Sequence, residues 1–97
     1  MEALIKEMEA YAAENHVPIM QQEGIEFFQK LVEKEEIRSI LELGTAIGYS
    51  AIQLARLHPD IHVVTIERDE ERYQLAVENV KRSGLEKQIT CSIDDII

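Results

Sequence analysis

The chain has 97 residues, 45% of them hydrophobic, which is enough for one small domain with a single core and too few for two. Ten basic residues face 19 acidic ones, and the net charge of -9 repels phosphate backbones and anionic membrane surfaces, so composition supplies no basic nucleic-acid stripe. A single cysteine, Cys91, excludes an internal disulfide, and the acidic amphipathic start is unlike a targeting sequence. Apolar runs such as 61–66 fall far short of the roughly 20 residues of a membrane span, so the expected compartment is the cytoplasm, with no membrane partner.

Leu4, Met8, Tyr11 and Ala12 recur at helical spacing and predict a helix over 2–14, ended by Asn15 and Pro18. Ile25, Phe28, Leu31 and Val32 predict a second over 22–35, with Phe27 and Phe28 expected in the core. The period changes at Ser39 to Leu43, a short apolar run before glycine that reads as a buried strand. Helical spacing returns over 50–57 through Ala51, Ile52, Leu54 and Ala55, and His58-Pro59-Asp60 stops it. His62 to Glu67 is a second strand. Residues 69–83 form another helix, acidic in its first turn, basic in its last and capped by Gly84, and 88–93 form a third strand. Strands alternating with helices demand right-handed crossovers and a parallel sheet, a doubly wound α/β half. Residues 1–36 then form leading helices and 37–97 a βαβαβ half-sheet within one partial domain.

Glu42, Gly44, Ala46, Gly48 and Ser50 lie where a strand turns into a helix, the place where an open parallel sheet binds ligands. Gly44 and Gly48 lack a β-carbon, so the backbone can turn sharply and approach a ligand closely, while the following helix presents free N–H groups. Glu67 ends the second strand 23 residues after Gly44, where a carboxylate can accept both hydroxyl protons of a ribose. The glycine spacing does not match the dinucleotide fingerprint G-x-G-x-x-G; it reads E-x-G-x-A-x-G.

In that motif the chain resembles the class I S-adenosylmethionine (SAM)-dependent methyltransferases, with Ala46 in place of the middle glycine. The segments 17–20 (VPIM), 41–55 (LELGTAIGYSAIQLA) and 66–76 (IERDEERYQLA) are similar to the bacterial O-methyltransferases of the catechol and caffeoyl-CoA type, and most similar to the tRNA 5-hydroxyuridine methyltransferases. The resemblance implies the N-terminal half of a Rossmann-like class I fold. It implies that Glu42 lies near the methionine moiety of SAM, that the turn Gly44, Thr45, Ala46, Gly48, Tyr49 and Ser50 wraps it, and that Glu67 takes the ribose hydroxyls. Arg68 would flank the adenine and Asp95 receive its amino group, although Asp94 and Ile96 stand where relatives have glycine and alanine. Val17, Ile19 and Met20 would lie over the pocket's entrance. Relatives of this type also bind a divalent metal such as magnesium, which orients and deprotonates the acceptor hydroxyl. Its ligands follow a fourth strand, beyond residue 97.

Three readings follow. One is SAM-dependent methyl transfer to a hydroxyl, with a tRNA 5-hydroxyuridine acceptor implied by resemblance and not by the charge. Another is a truncated, non-catalytic SAM-binding or structural remnant that self-associates. A third is a catechol-like small-molecule methyltransferase. In the strand order 3-2-1-4-5, ending after the third strand leaves the first as an open apolar edge, so a homodimer through that edge is expected, and the chain alone is expected to be inactive. His16, His58 and His62 have no helical-spacing partner and read as surface or packing residues; Cys91 reads as a core thiol, and Tyr49 as pocket lining or packing in equal measure.

Overall fold

The computed structural model describes residues 1–95. The elements run α1 (Glu2–Glu14), α2 (Gln22–Lys34), β1 (Ser39–Leu43), α3 (Tyr49–Ala55), β2 (His62–Glu67), α4 (Glu70–Ser83) and β3 (Ile89–Ile93). The three strands form a parallel sheet in the order β1-β2-β3, with Glu42 opposite Thr65 and Thr65 opposite Cys91. This is the expected N-terminal part of a Rossmann-like fold. Among the described residues no helix is long and apolar enough to cross a membrane.

Local chemistry sets the ends. Helix α1 buries Leu4, Ile5, Met8 and Ala12 and closes as His16 takes a positive φ of 55°, with the Val17 N–H on the Ala12 carbonyl. Helix α2 closes the same way through Glu36 (φ 51°) and the Ile37 N–H on Val32. These closures turn Val17 and Ile37 back onto the core and set the course of the 17–20 segment. Asp69 caps α4 by accepting the Arg72 N–H at 2.9 Å, and Gly84 ends it at φ 77°.

Helix α3 lies between α2 and α4 and packs on β2 and β3, so all seven of its residues are buried and it needs no polar face. Two right-handed crossovers stepping the same way along the sheet put α3 and α4 on one face. Burial follows: Val63, Thr65, Glu67 and Ile89 are buried beneath the helices, while on the other face Leu41 is 67% exposed, Leu43 58% and Val64 41%.

Two expectations are corrected. The first strand is not buried on both sides, because the described helices cover one face. Phe27 and Phe28 are 63% and 40% exposed, because Ile25 and Val32 already fill the contact of α2 with α3.

Candidate functional site

The turn between β1 and α3 is held from several directions. Gly44, Ala46 and Gly48 take φ values of 87°, 53° and 90°, so each alternate residue is left-handed. That pattern accounts for the small side chains of the E-x-G-x-A-x-G motif; at Ala46 the conformation costs roughly 1 kcal/mol that glycine would not incur. The Gly44 and Thr45 N–H groups both donate to the Ile66 carbonyl, at 2.8 and 3.2 Å, and Asn79 of α4 donates to the Ile47 carbonyl at 3.0 Å.

Glu67 is buried at the end of β2. Its Oε1 accepts the Ala46 N–H at 2.8 Å and its Oε2 the Asp69 N–H at 2.9 Å. The carboxylate therefore ties the first turn to the second, and each oxygen keeps a further lone pair.

Above the turn lies a cavity of about 320 Å³ lined by Pro18, Ile19, Met20, Glu42, Leu43, Gly44, Thr45, Ala46, Tyr49 and Ser50. The 17–20 segment and the motif meet there. Val17 is buried and lines an adjoining hollow of about 460 Å³ that shares Pro18, Ile19, Met20 and Tyr49. A β-carbon built at Gly44 meets nothing within 4 Å, whereas one at Gly48 touches the Ala76 backbone at 3.5 Å, so the first glycine faces open space and the second a helix. Arg68 and Asp95 are exposed and line neither hollow; the Asp95 N–H donates to its neighbour's Oδ1 at 2.7 Å, and Ile96 lies outside the described residues.

Glu42 is the acidic group of the cavity. Its Oε1 accepts the Thr65 hydroxyl at 2.7 Å and its Oε2 the Ser50 hydroxyl. Burial pushes its carboxyl above the usual range, and the bonds from Ser50 and Thr65 pull the other way. Tyr49, 2% exposed, donates its hydroxyl to Glu9 Oε2 of α1 at 2.5 Å; burial raises its pKa first, and Glu9 raises it further. So Tyr49 both packs and lines the pocket.

Sequence reasoning missed Glu9 and Thr65. Thr65 carried a signal, a hydroxyl on an otherwise apolar strand two residues before Glu67; Glu9 carried none. Burial raises the Cys91 thiol's pKa, which fits a packing role. Among the described residues no group of three or more His, Cys, Asp or Glu side chains could hold a metal ion.

The family model described as O-methyltransferase matches residues 1–96. The catechol O-methyltransferase of Niastella koreensis is 39% identical over 64 residues, 65% of this chain and 29% of that protein. The O-methyltransferase imqG of Aspergillus flavus is 42% identical over 53 residues, 55% of this chain and 22% of that protein. Among solved structures, a Staphylococcus aureus protein assigned as a caffeoyl-CoA O-methyltransferase superposes with a TM-score of 0.90 at 36% identity, covering 94% of this chain and 44% of that one. An O-methyltransferase from Bacillus cereus in complex with SAH superposes at 0.81 with 32% identity, covering 93% and 43%. The chain therefore accounts for less than half the length of each of these four relatives. With the E-x-G-x-A-x-G turn, the acid that staples it and the parallel sheet beneath, this match across residues 1–96 makes the chain a member of the class I SAM-dependent O-methyltransferase family.

Proposed function

We propose that the chain binds SAM in the cavity over the Gly44–Gly48 turn and serves methyl transfer to an oxygen. One observation carries the reading: three consecutive alternate left-handed residues, pinned by Glu67, leave an open cradle at Gly44 beside the carboxylate of Glu42. The residues fit the cofactor's chemistry. Glu42 offers negative charge to a cationic end, Ile19, Met20 and Tyr49 offer an apolar wall, and Glu67 keeps lone pairs for hydroxyl donors. When bound, SAM supplies a methyl group on a sulfonium, ready for in-line displacement.

In this reading Glu42 lies by the methionine moiety and Thr45, Ala46, Gly48, Tyr49 and Ser50 wrap it, while Val17, Ile19 and Met20 cover the entrance. Glu67 takes the ribose hydroxyls, and Arg68 and Asp95 serve the adenine. The protein's part is to orient the methyl and exclude water. The described residues do not fit a divalent metal, so the proton on the acceptor is not assigned to one of them. For the acceptor, a 5-hydroxyuridine in tRNA is supported by resemblance alone, and a catechol-like molecule by the Niastella relative.

A second reading has its own observation. Among the described residues β1 pairs with β2 alone, and Leu41 and Leu43 beside it are exposed, which supports a non-catalytic, self-associating SAM binder with a two-fold pairing of β1 strands. Calorimetric titration with SAM and with NAD tests the ligand; NAD binding alone overturns the proposal. Methyl transfer to catechol and to hydroxyuridine-containing tRNA with added magnesium then separates the two readings, since turnover by the isolated chain contradicts the second.

A further inference from the structure

A polar row crosses the sheet under the cavity. Glu42, Thr65 and Cys91 are register neighbours on β1, β2 and β3, and Thr65 at its centre is 0% exposed. A threonine hydroxyl has one proton. Thr65 gives it to Glu42 Oε1 at 2.7 Å, so the Thr45 hydroxyl, 2.6 Å from Thr65, must be the donor of that second bond. Ser50 donates to the other oxygen of Glu42. The network runs from Thr45 to Thr65 to Glu42, with Ser50 joining from α3, and every proton points toward the carboxylate.

We infer that Thr65, which is fully buried and lines neither hollow, is a positioning residue: its hydroxyl fixes Glu42 Oε1, favours the ionised carboxylate at the cavity wall and tethers Thr45 of the turn. Only its ligand arm rests on the proposed SAM reading. Burial opposes the charge on Glu42, and two hydroxyl bonds counter it. The cavity lining contains no cationic side chain that could take their place. The titratable groups brought toward Glu42 are Cys91 from β3, Glu67 at the end of β2 and Tyr49 from α3; none supplies positive charge, and Glu67 is already bound by two backbone N–H groups. Removing the Thr65 hydroxyl therefore leaves the desolvation in place with one of its two compensating bonds gone.

The test is a carbon-13 carboxyl NMR titration of the ligand-free protein as wild type, Thr65→Val and Thr65→Ser. The valine variant preserves shape and removes the hydroxyl, and its Glu42 midpoint rises by about one pH unit, the scale of one hydrogen bond to a charged group. The serine variant stays near wild type. A packing role would disturb both variants and leave the Glu42 midpoint where it was, and an unchanged midpoint in folded Thr65→Val overturns the inference. Should the valine variant melt below the working temperature, the wild type decides: the Thr65 hydroxyl proton is protected from exchange and its resonance follows the Glu42 titration, whereas a fast-exchanging, pH-invariant proton overturns the inference. SAM titrations across a pH series add the ligand arm, with the loss of affinity on acidification beginning about one pH unit higher in Thr65→Val than in wild type. A wild type that binds no SAM defeats the proposed function, and the carboxyl titration then decides Thr65 alone.

Discussion

The two faces of the sheet obey different rules although the same strands make both. Under α3 and α4, Val63, Thr65, Glu67 and Ile89 are buried, and every polar atom among them that bears on the site has a partner. On the opposite face Leu41, Leu43 and Val64 stand in solvent at 41% exposure or more. Parallel sheets are ordinarily covered on both sides. The difference teaches that the site depends on one layer: the turn, Glu42 and Glu67 are all fixed from the helix side, so the cradle is complete in its local bonding while its sheet is half dressed.

That contrast can be broken by substitution. Ile52→Ala removes a fully buried side chain of α3 and costs about 3 kcal/mol in chemical denaturation, enough to threaten folding of a chain this small. A loss near zero would mean that the covered face is not the stabilising one.

The next effect separates the two glycines. Gly48→Ala and Gly44→Ala each force a side chain into a left-handed backbone at φ 90° and 87°, costing about 1–2 kcal/mol. Only at Gly44 does the new methyl point into open space. Gly44→Ala is therefore expected to weaken SAM binding at least tenfold beyond its stability loss, while Gly48→Ala tracks stability. Equal effects on binding would remove the distinction.

Smaller still is the pH dependence. Glu42 has a raised pKa in the folded chain, so between the unfolded and the folded value its folded form holds a proton that the unfolded form has released, and above the folded value both are ionised. Its contribution to stability is present below the ordinary carboxyl value of 4.5 and is lost as pH rises through the folded value. Glu2 and Glu7, lowered by Arg56 and Arg82, act in the opposite sense, losing theirs as pH falls below 4.5. Melting curves of Glu42→Gln should lack the decline above pH 4.5 and keep the one below it. A wild-type profile that rises steadily from pH 4.5 to 7 would contradict the assignment.

The smallest change in stability belongs to the bare face. Leu43→Ser should alter it by no more than about 0.5 kcal/mol, because an exposed leucine is already in water. Light scattering at high concentration gives the other half of that test. If β1 self-associates, Leu43→Ser reduces the mean mass, and a wild type that remains monomeric defeats the edge-pairing proposal.

Much of the fold could be read in the sequence because its periodicities are clean. All seven elements fall within two residues of the expected spans, and the shift at α3 has a cause, since Gly48 caps that helix and starts it at Tyr49. The turn was legible as well, because small residues at 44, 46 and 48 are what alternate left-handed positions require. What escaped was long-range. Glu9 meets Tyr49 across 40 residues and Thr65 meets Thr45 across 20, and no local pattern encodes either pairing. Phe28 and Leu31 obeyed the helical stripe yet ended exposed, because periodicity marks an apolar face without saying what covers it.

The most direct measurement of the central claim is calorimetric titration of the intact chain with SAM, alongside NAD, at neutral pH. The cradle predicts saturable binding of one SAM per chain, weakened at least tenfold in Gly44→Ala, with no heat from NAD. Binding of NAD without SAM, or SAM binding indifferent to Gly44→Ala, would contradict it.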